Sequence, residues 1–357
     1  MGKSNFRDQF RRARLRAVVV TSSVLLIAGS LAGLATSASA APAASAGDGT
    51  SDAVAPLSAD AQPKVSRMSA DAAAIEYWTP ARMAAAIAPP APTLAANPSG
   101  SKASTDRAAA APGFTAPSDP VVATGQKAAA SLNKALSAAA SVNASATVGV
   151  VFFTDPANGL GYRCSGSALN SNSKRLVITA GHCVYGGGHY MTNVVFVPRY
   201  NNGSRPYGTF AARTIRTFDA WRSSSSRDHD IAMFTTSNNS SGQVLVNTVG
   251  GNGLSWNYSH SIFLTILAYP ADPPYDGTWQ QYCQGTIRQV GIFDGRIELH
   301  CGFTGGSSGG PWFRAYDSAT GIGYVNGVMS TLASNGYNRS SYFDTKVKTM
   351  FDATAGD

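Results

Sequence analysis

The chain has 357 residues, of which 13% are charged and 36 are glycine, and its formal net charge is +8. That charge is local: Lys3, Arg7, Arg11, Arg12, Arg14 and Arg16 precede residue 17 against Asp8 alone, whereas residues 146–357 hold fifteen basic and twelve acidic residues. The near-balance argues against a nucleic-acid partner, and the length allows one large or two ordinary domains with appendages.

In chain order, residues 1–16 are basic and Val18–Leu34 is an apolar run of 17 residues. Ala38-Ser39-Ala40 then supplies small residues for a signal peptidase. Residues 1–40 therefore read as a secretory signal cleaved after Ala40. The run sits at the lower limit for spanning and lacks basic stop-transfer residues, so no stable membrane anchor is expected. Arg11-Arg12 leaves the Sec and twin-arginine routes both open.

Residues 41–145 are rich in Ala, Pro and Ser and carry no Cys. Such low-complexity composition predicts a largely disordered segment. One island, Ala72–Ile87, holds Ile75, Tyr77, Trp78 and Met83, with a short helix expected after Pro80. A second helix is expected over Gly125–Ala140.

From Val148 the composition changes. Short strands are expected at Val148–Phe153, Arg175–Thr179, Val194–Pro198, Gly208–Thr217, Ile231–Thr235, Ser261–Ala268, Trp279–Gly285, Thr286–Ile292, Arg296–His300, Trp312–Ala315, Gly323–Ser330 and Ser341–Phe343. Phe293-Asp294-Gly295-Arg296 is a hairpin signal, because Asp-Gly accepts positive φ. Lys346–Ala353 reads as a C-terminal helix. Residues 146–357 thus form an all-β domain, barrel or sandwich.

Four cysteines, Cys164, Cys183, Cys283 and Cys301, all fall in this part. An even number behind an export signal implies two disulfides among three connectivities, with sequence neighbours the simplest pairs. No Cys-x-x-Cys pair or Asp-rich loop calls for zinc, a redox site or calcium. No metal or other cofactor is expected.

Three stretches carry chemistry. Gly305-Gly306-Ser307-Ser308-Gly309-Gly310-Pro311 is a tight turn that exposes a hydroxyl beside amide hydrogens, which is what acyl transfer needs. Thr179-Ala180-Gly181-His182-Cys183 follows the apolar run Leu176-Val177-Ile178 and offers a base that titrates near neutrality. Asp228-His229-Asp230-Ile231-Ala232 offers a carboxylate to orient that base.

Together these stretches resemble the histidine, aspartate and serine motifs of secreted bacterial trypsin-like serine peptidases of the chymotrypsin fold, over about Val148–Phe351. The resemblance implies two six-stranded antiparallel β-barrels with a short C-terminal helix, preceded by signal peptide and propeptide. It implies a triad of His182, Asp230 and Ser308, with Ser307 and Asp228 as the competing residues. It further implies an oxyanion hole from the Gly306 and Ser308 N–H groups, and a specificity pocket walled by Gly302, Met329 and Ser330. Cys164–Cys183 would tie the strand before His182 to the turn after it, leaving Cys283–Cys301.

Two departures matter. No acidic residue lies between Leu299 and Ser307, where trypsin-type enzymes carry the pocket carboxylate, and Met329 stands where glutamate-specific relatives carry His. His300 and Arg288 remain candidates for facing an acidic side chain. Ser307 stands where the animal enzymes have an Asp that pairs with the new N-terminus, and no Ile-Val-Gly-Gly start occurs near residue 146. Activation through that ion pair is therefore not expected. The sequence reading is a secreted, monomeric endopeptidase acting on proteins or peptides, with its own propeptide as a partner. An esterase-like or non-catalytic protein on the same scaffold is the alternative.

Overall fold

The computed structural model describes residues 49–90, 110–121, 142–292 and 294–356. The leader and the helix expected over Gly125–Ala140 lie outside these residues. Among the described residues no helix is long and apolar enough to cross a membrane.

Two strands precede the main body, β1 (Thr50–Val54) and β2 (Gly113–Phe114), with helices α1 (Ala70–Tyr77) and α2 (Pro80–Ala85) between them. Next come β3 (Val148–Thr154), β4 (Gly161–Leu169), β5 (Leu176–Thr179), the small hairpin β6 (Tyr185–Gly186) and β7 (His189–Tyr190), then β8 (Thr192–Pro198), β9 (Phe210–Phe218), helix α3 (Asp219–Ser224) and β10 (Ala232–Thr236). Antiparallel pairing runs β9-β10-β5-β4-β3-β8, and β8 returns to β9, closing a six-stranded barrel. β3 shows why its sequence reads as an unbroken apolar run. Val151 and Phe153 face the barrel interior with Phe196, Phe210 and Phe234, while Val150 and Phe152 pack into a second cluster outside it.

Helix α4 (Leu245–Val249) leads to β11 (Gly253–Trp256), β12 (Phe263–Ala268), β13 (Gln281–Thr286), β14 (Arg288–Gly291), β15 (Asp294–His300), β16 (Pro311–Asp317), β17 (Ile322–Val328), β18 (Thr331–Leu332), β19 (Tyr337–Ser340) and helix α5 (Thr345–Thr354). These strands form a six-stranded sheet, β13-β12-β16-β17-β11-β2, and a four-stranded sheet, β14-β15-β19-β18. Both press on one core of Leu264, Ile266, Ile297, Phe303, Trp312 and Met329. Among the described residues, hydrogen bonding closes only the first half into a ring. The buried Ile287, whose N–H donates to Ile262 O, separates the two sheets of the second.

Several local expectations shift. The β14–β15 hairpin forms, but Gly291 pairs with Asp294, so its turn precedes Asp294-Gly295. The Asp294 carboxylate instead accepts from Arg296 N (3.1 Å), Nε (2.9 Å) and Nη2 (2.6 Å). The last strand is Tyr337–Ser340, not Ser341–Phe343. β4 went unread altogether.

The largest correction concerns residues 41–145, expected to be largely disordered. Within the described part, β1 extends the barrel edge at β9, from Thr50 opposite Phe218 to Val54 opposite Thr214. Ser69 and Thr79 cap α1 and α2 by accepting from Ala72 N and Arg82 N. Trp78 is 1% exposed, donates its indole N–H to Asn193 O (2.7 Å) and packs on Phe152. Met83 is fully buried in the same cluster. Average composition hid this, because a few large apolar side chains suffice when a finished barrel offers the other half of the core.

Candidate active site

The antiparallel register of β5 and β10 sets up the first pair. Thr179 lies opposite Ala232, so the chain leaving β5 through Ala180 meets the chain entering β10 through Ile231. His182, in the turn Gly181–Cys183, therefore lies beside Asp230. Asp230 is 1% exposed. Its Oδ1 accepts from His182 N (2.8 Å), its Oδ2 lies 2.8 Å from His182 Nδ1, and the same Oδ2 accepts from the Ser330 hydroxyl at 2.6 Å. A carboxylate holding Nδ1–H leaves Nε2 as the basic nitrogen of a neutral ring. That Nε2 is buried and has no hydrogen-bond partner among the described residues. Asp228 is exposed in the turn Arg227–His229, outside any strand.

The Gly305–Pro311 loop arrives from the other half. Ser307 is 1% exposed and donates its hydroxyl to Thr304 O (2.6 Å). Ser308 is half-buried. Main-chain tethers hold the loop: Ala271 N to Gly305 O, Gly310 N to Ser307 O, Ser165 N to Ser308 O, and Gly309 N to Met329 O. Neither the Gly306 nor the Ser308 N–H has an acceptor among the described residues. Gly309 has φ +79°, and a Cβ there would lie 2.1 Å from Thr179 Oγ1 and 2.3 Å from Ser165 O. Only glycine lets the serine loop come this close to β5 and β4.

Disulfides join Cys164 to Cys183 and Cys283 to Cys301. The first matters to the site, since Cys183 adjoins His182 and Cys164 adjoins Ser165, which holds Ser308. Gly302 is exposed and donates its N–H to Gly336 O. Met329 is fully buried, and the Ser330 hydroxyl turns to Asp230. Arg288 is committed to Glu298 (2.9 Å), and His300 sets its ring against Tyr337. The sequence reading missed Ser165 and the Ser330–Asp230 bond; a serine among small residues gives no periodic or motif signal. A cleft of about 800 Å³ between α1 and Arg175, Arg205 and Arg213 contains none of these residues and is a seam beneath the N-terminal segment.

The trypsin-like peptidase domain model matches residues 164–322. The crystal structure of protease Anisep from Arthrobacter nicotinovorans is 32% identical, covering 60% of this chain and 98% of that one, with a TM-score of 0.56. This chain is a trypsin-like serine peptidase. The thermostable serine protease AL20 from an extremophilic microorganism is 27% identical over 59% of the peptidase and 98% of its own chain, with a TM-score of 0.55. A Bacillus subtilis (strain 168) protein named extracellular metalloprotease is 28% identical over 181 residues, 50% of the peptidase and 53% of the relative. The peptidase thus spans about half the length of that curated relative.

The relative's name raises the question of a metal. Cys164, His182 and Cys183 bring potential ligand atoms within 4.8 Å of one another. The two sulfurs are bonded to each other, and His182 Nδ1 is engaged with Asp230. This trio therefore offers no thiolates and does not fit a metal.

Proposed function

We propose that the peptidase is a secreted endopeptidase whose catalytic triad is His182, Asp230 and Ser308. Ser308 Oγ attacks the scissile carbonyl carbon while His182 Nε2 takes its proton. His182 returns that proton to the leaving amine as the acyl-enzyme forms. Water, deprotonated by His182, then releases the acid. Asp230 holds the tautomer, itself steadied by the His182 N–H and the Ser330 hydroxyl. The Gly306 and Ser308 N–H groups take the oxyanion charge. The observation that carries the reading is the convergence of a buried Asp–His pair with a serine loop that has two amide hydrogens to spare. An esterase-like or non-catalytic role draws on no observation of its own. Gly302, Met329 and Ser330 are taken as pocket wall, and they bring no charge to it. The two C-terminal sheets, wrapped on one core, are taken as the family's second barrel.

Residues 1–40 serve in this reading as the export signal, and the two disulfides suit an oxidising destination. The extracellular label of the Bacillus relative agrees. The remainder up to about residue 145 acts as a propeptide. Ser145 is fully buried, with its N–H on Gln280 and its hydroxyl on Gly321 O, and Tyr316 donates to Asn143 O. These bonds tie the residues at the propeptide boundary to the second half of the peptidase. These partners are neutral, and Ser307 carries no charge, in keeping with activation that needs no N-terminal ion pair. The propeptide holds the enzyme latent. Ile87 N donates to Gly161 O (3.2 Å) and Arg163 N donates to Ile87 O (2.8 Å). The Ala88 Cβ lies 2.8 Å from where a Cβ on Gly305 would sit.

The test is a peptide-library digest by processed and unprocessed enzyme beside Ser308→Ala. Internal cleavage that appears on processing and vanishes in the variant supports the reading. Cleavage that survives in Ser308→Ala refutes it.

A further inference from the structure

Ser165 is fully buried in β4, and it uses every hydrogen-bonding group it has at the join between the barrel and the serine loop. Its N–H donates to Ser308 O (2.7 Å), and its carbonyl accepts from the Thr179 hydroxyl (2.8 Å). Its own hydroxyl donates to Gly306 O (3.0 Å) and accepts from Tyr269 N (2.9 Å).

Peptide planarity gives these bonds a consequence. In a trans peptide the C=O and N–H of one plane point in opposite directions. Holding Gly305 O on Ala271 N therefore turns the Gly306 N–H the other way, and holding Ser307 O on Gly310 N does the same for the Ser308 N–H. The plane between these two runs from Gly306 C=O to Ser307 N–H. It is reached through Gly306, whose φ is +86°, the one residue type that rotates freely there. Its N–H end meets Thr304 O at a long 3.3 Å. Its C=O end is held by the Ser165 hydroxyl.

We infer that Ser165 is a positioning residue for the oxyanion site: its hydroxyl locks the Gly306–Ser307 peptide so that the Gly306 and Ser308 N–H groups converge on one point. The inference rests on the triad reading above. A hydroxyl that merely capped two buried groups would stabilise the fold without regard to the reaction coordinate. A lock on the donors acts only when negative charge develops on the substrate oxygen.

The experiment compares processed wild type, Ser165→Ala and Ser165→Thr in three measurements: kcat and KM on a peptide substrate, thermal midpoint, and inhibition by a peptide aldehyde and its matching alcohol. The aldehyde adds Ser308 Oγ and places an oxyanion in the site; the alcohol does not. Ser165→Ala is expected to lose at least about 10-fold in kcat, short of the ~10²–10³-fold of a deleted donor, with KM unchanged. Aldehyde affinity should fall in parallel while alcohol affinity holds, and Ser165→Thr, which keeps the hydroxyl, should recover most of the loss. An unchanged kcat overturns the inference. So do aldehyde and alcohol affinities that fall together, or failure of both variants to accumulate folded, which would make Ser165 a folding residue. A wild type that does not prefer aldehyde over alcohol removes the triad reading itself, and this inference with it.

Discussion

The two regions that meet at the site are built on different principles. His182 and Asp230 sit at the ends of two paired strands of a closed barrel, so the ladder register alone brings them together. The Gly305–Pro311 loop contains no ladder ahead of β16. Its carbonyls are tethered one at a time by donors from β4, from Ala271 after β12, and from its own turn. The proposed base is thus fixed by regular structure and the proposed nucleophile by borrowed bonds. A regular pair tolerates chemical change without moving, whereas a tethered loop fails geometrically once a tether or a glycine is lost.

That contrast is sharpest under substitution. Asp230→Asn should leave the barrel side in place yet lower kcat by about 10⁴-fold by reversing the tautomer. An intact thermal midpoint beside that loss would confirm that register, not charge, holds the pair. Gly309→Ala should act in the opposite way. The new Cβ displaces the loop from Thr179 and Ser165, and a misplacement of about 1 Å is expected to cost about 10²-fold in kcat. Wild-type kinetics in this variant would show that the loop is not held by close approach.

Breaking Cys164–Cys183 by paired Ala substitution should cost about 2–4 kcal/mol of unfolding free energy. Breaking Cys283–Cys301 should cost a comparable amount, but only the first should also depress kcat, because it alone adjoins both His182 and Ser165. Equal kinetic effects of the two would remove the barrel's special role.

The smallest effect is expected at Asp294. Burial opposes its ionisation, but hydrogen bonds and charge from Arg296, helped by the Arg339 charge, outweigh burial and hold its carboxyl below the ordinary range. A folded pKa below the unfolded one contributes stability that is present above about pH 3.9 and lost as the pH falls through the depressed value. Asp294→Asn should therefore lower the thermal midpoint slightly at neutral pH and flatten its decline on the acid side. An unchanged acid limb would contradict this.

Much of this was legible beforehand. The three motifs marked the candidate site, since each couples a reactive side chain to a recognisable strand end or turn, and β-branched or aromatic runs revealed most strands. β4 escaped because it must be small. Its sequence GYRCSGSAL carries no β-branched residue, and a Cβ at Gly166 would lie 2.8 Å from Val151 Cγ2. The choice between Asp228 and Asp230 was likewise beyond periodicity. It depends on a short turn at Arg227–His229 that exposes one carboxylate and buries the other. The packing of Trp78 and Met83 needed the barrel surface they complete.

The most direct test of the account is fluorophosphonate labelling of the processed, secreted enzyme with mass mapping of the adduct. A single adduct on Ser308, abolished by Ser308→Ala and slowed by Asp230→Asn, is the predicted result. An adduct on Ser307, or none on a fully processed and folded enzyme, would contradict the assignment of the nucleophile and the account built on it.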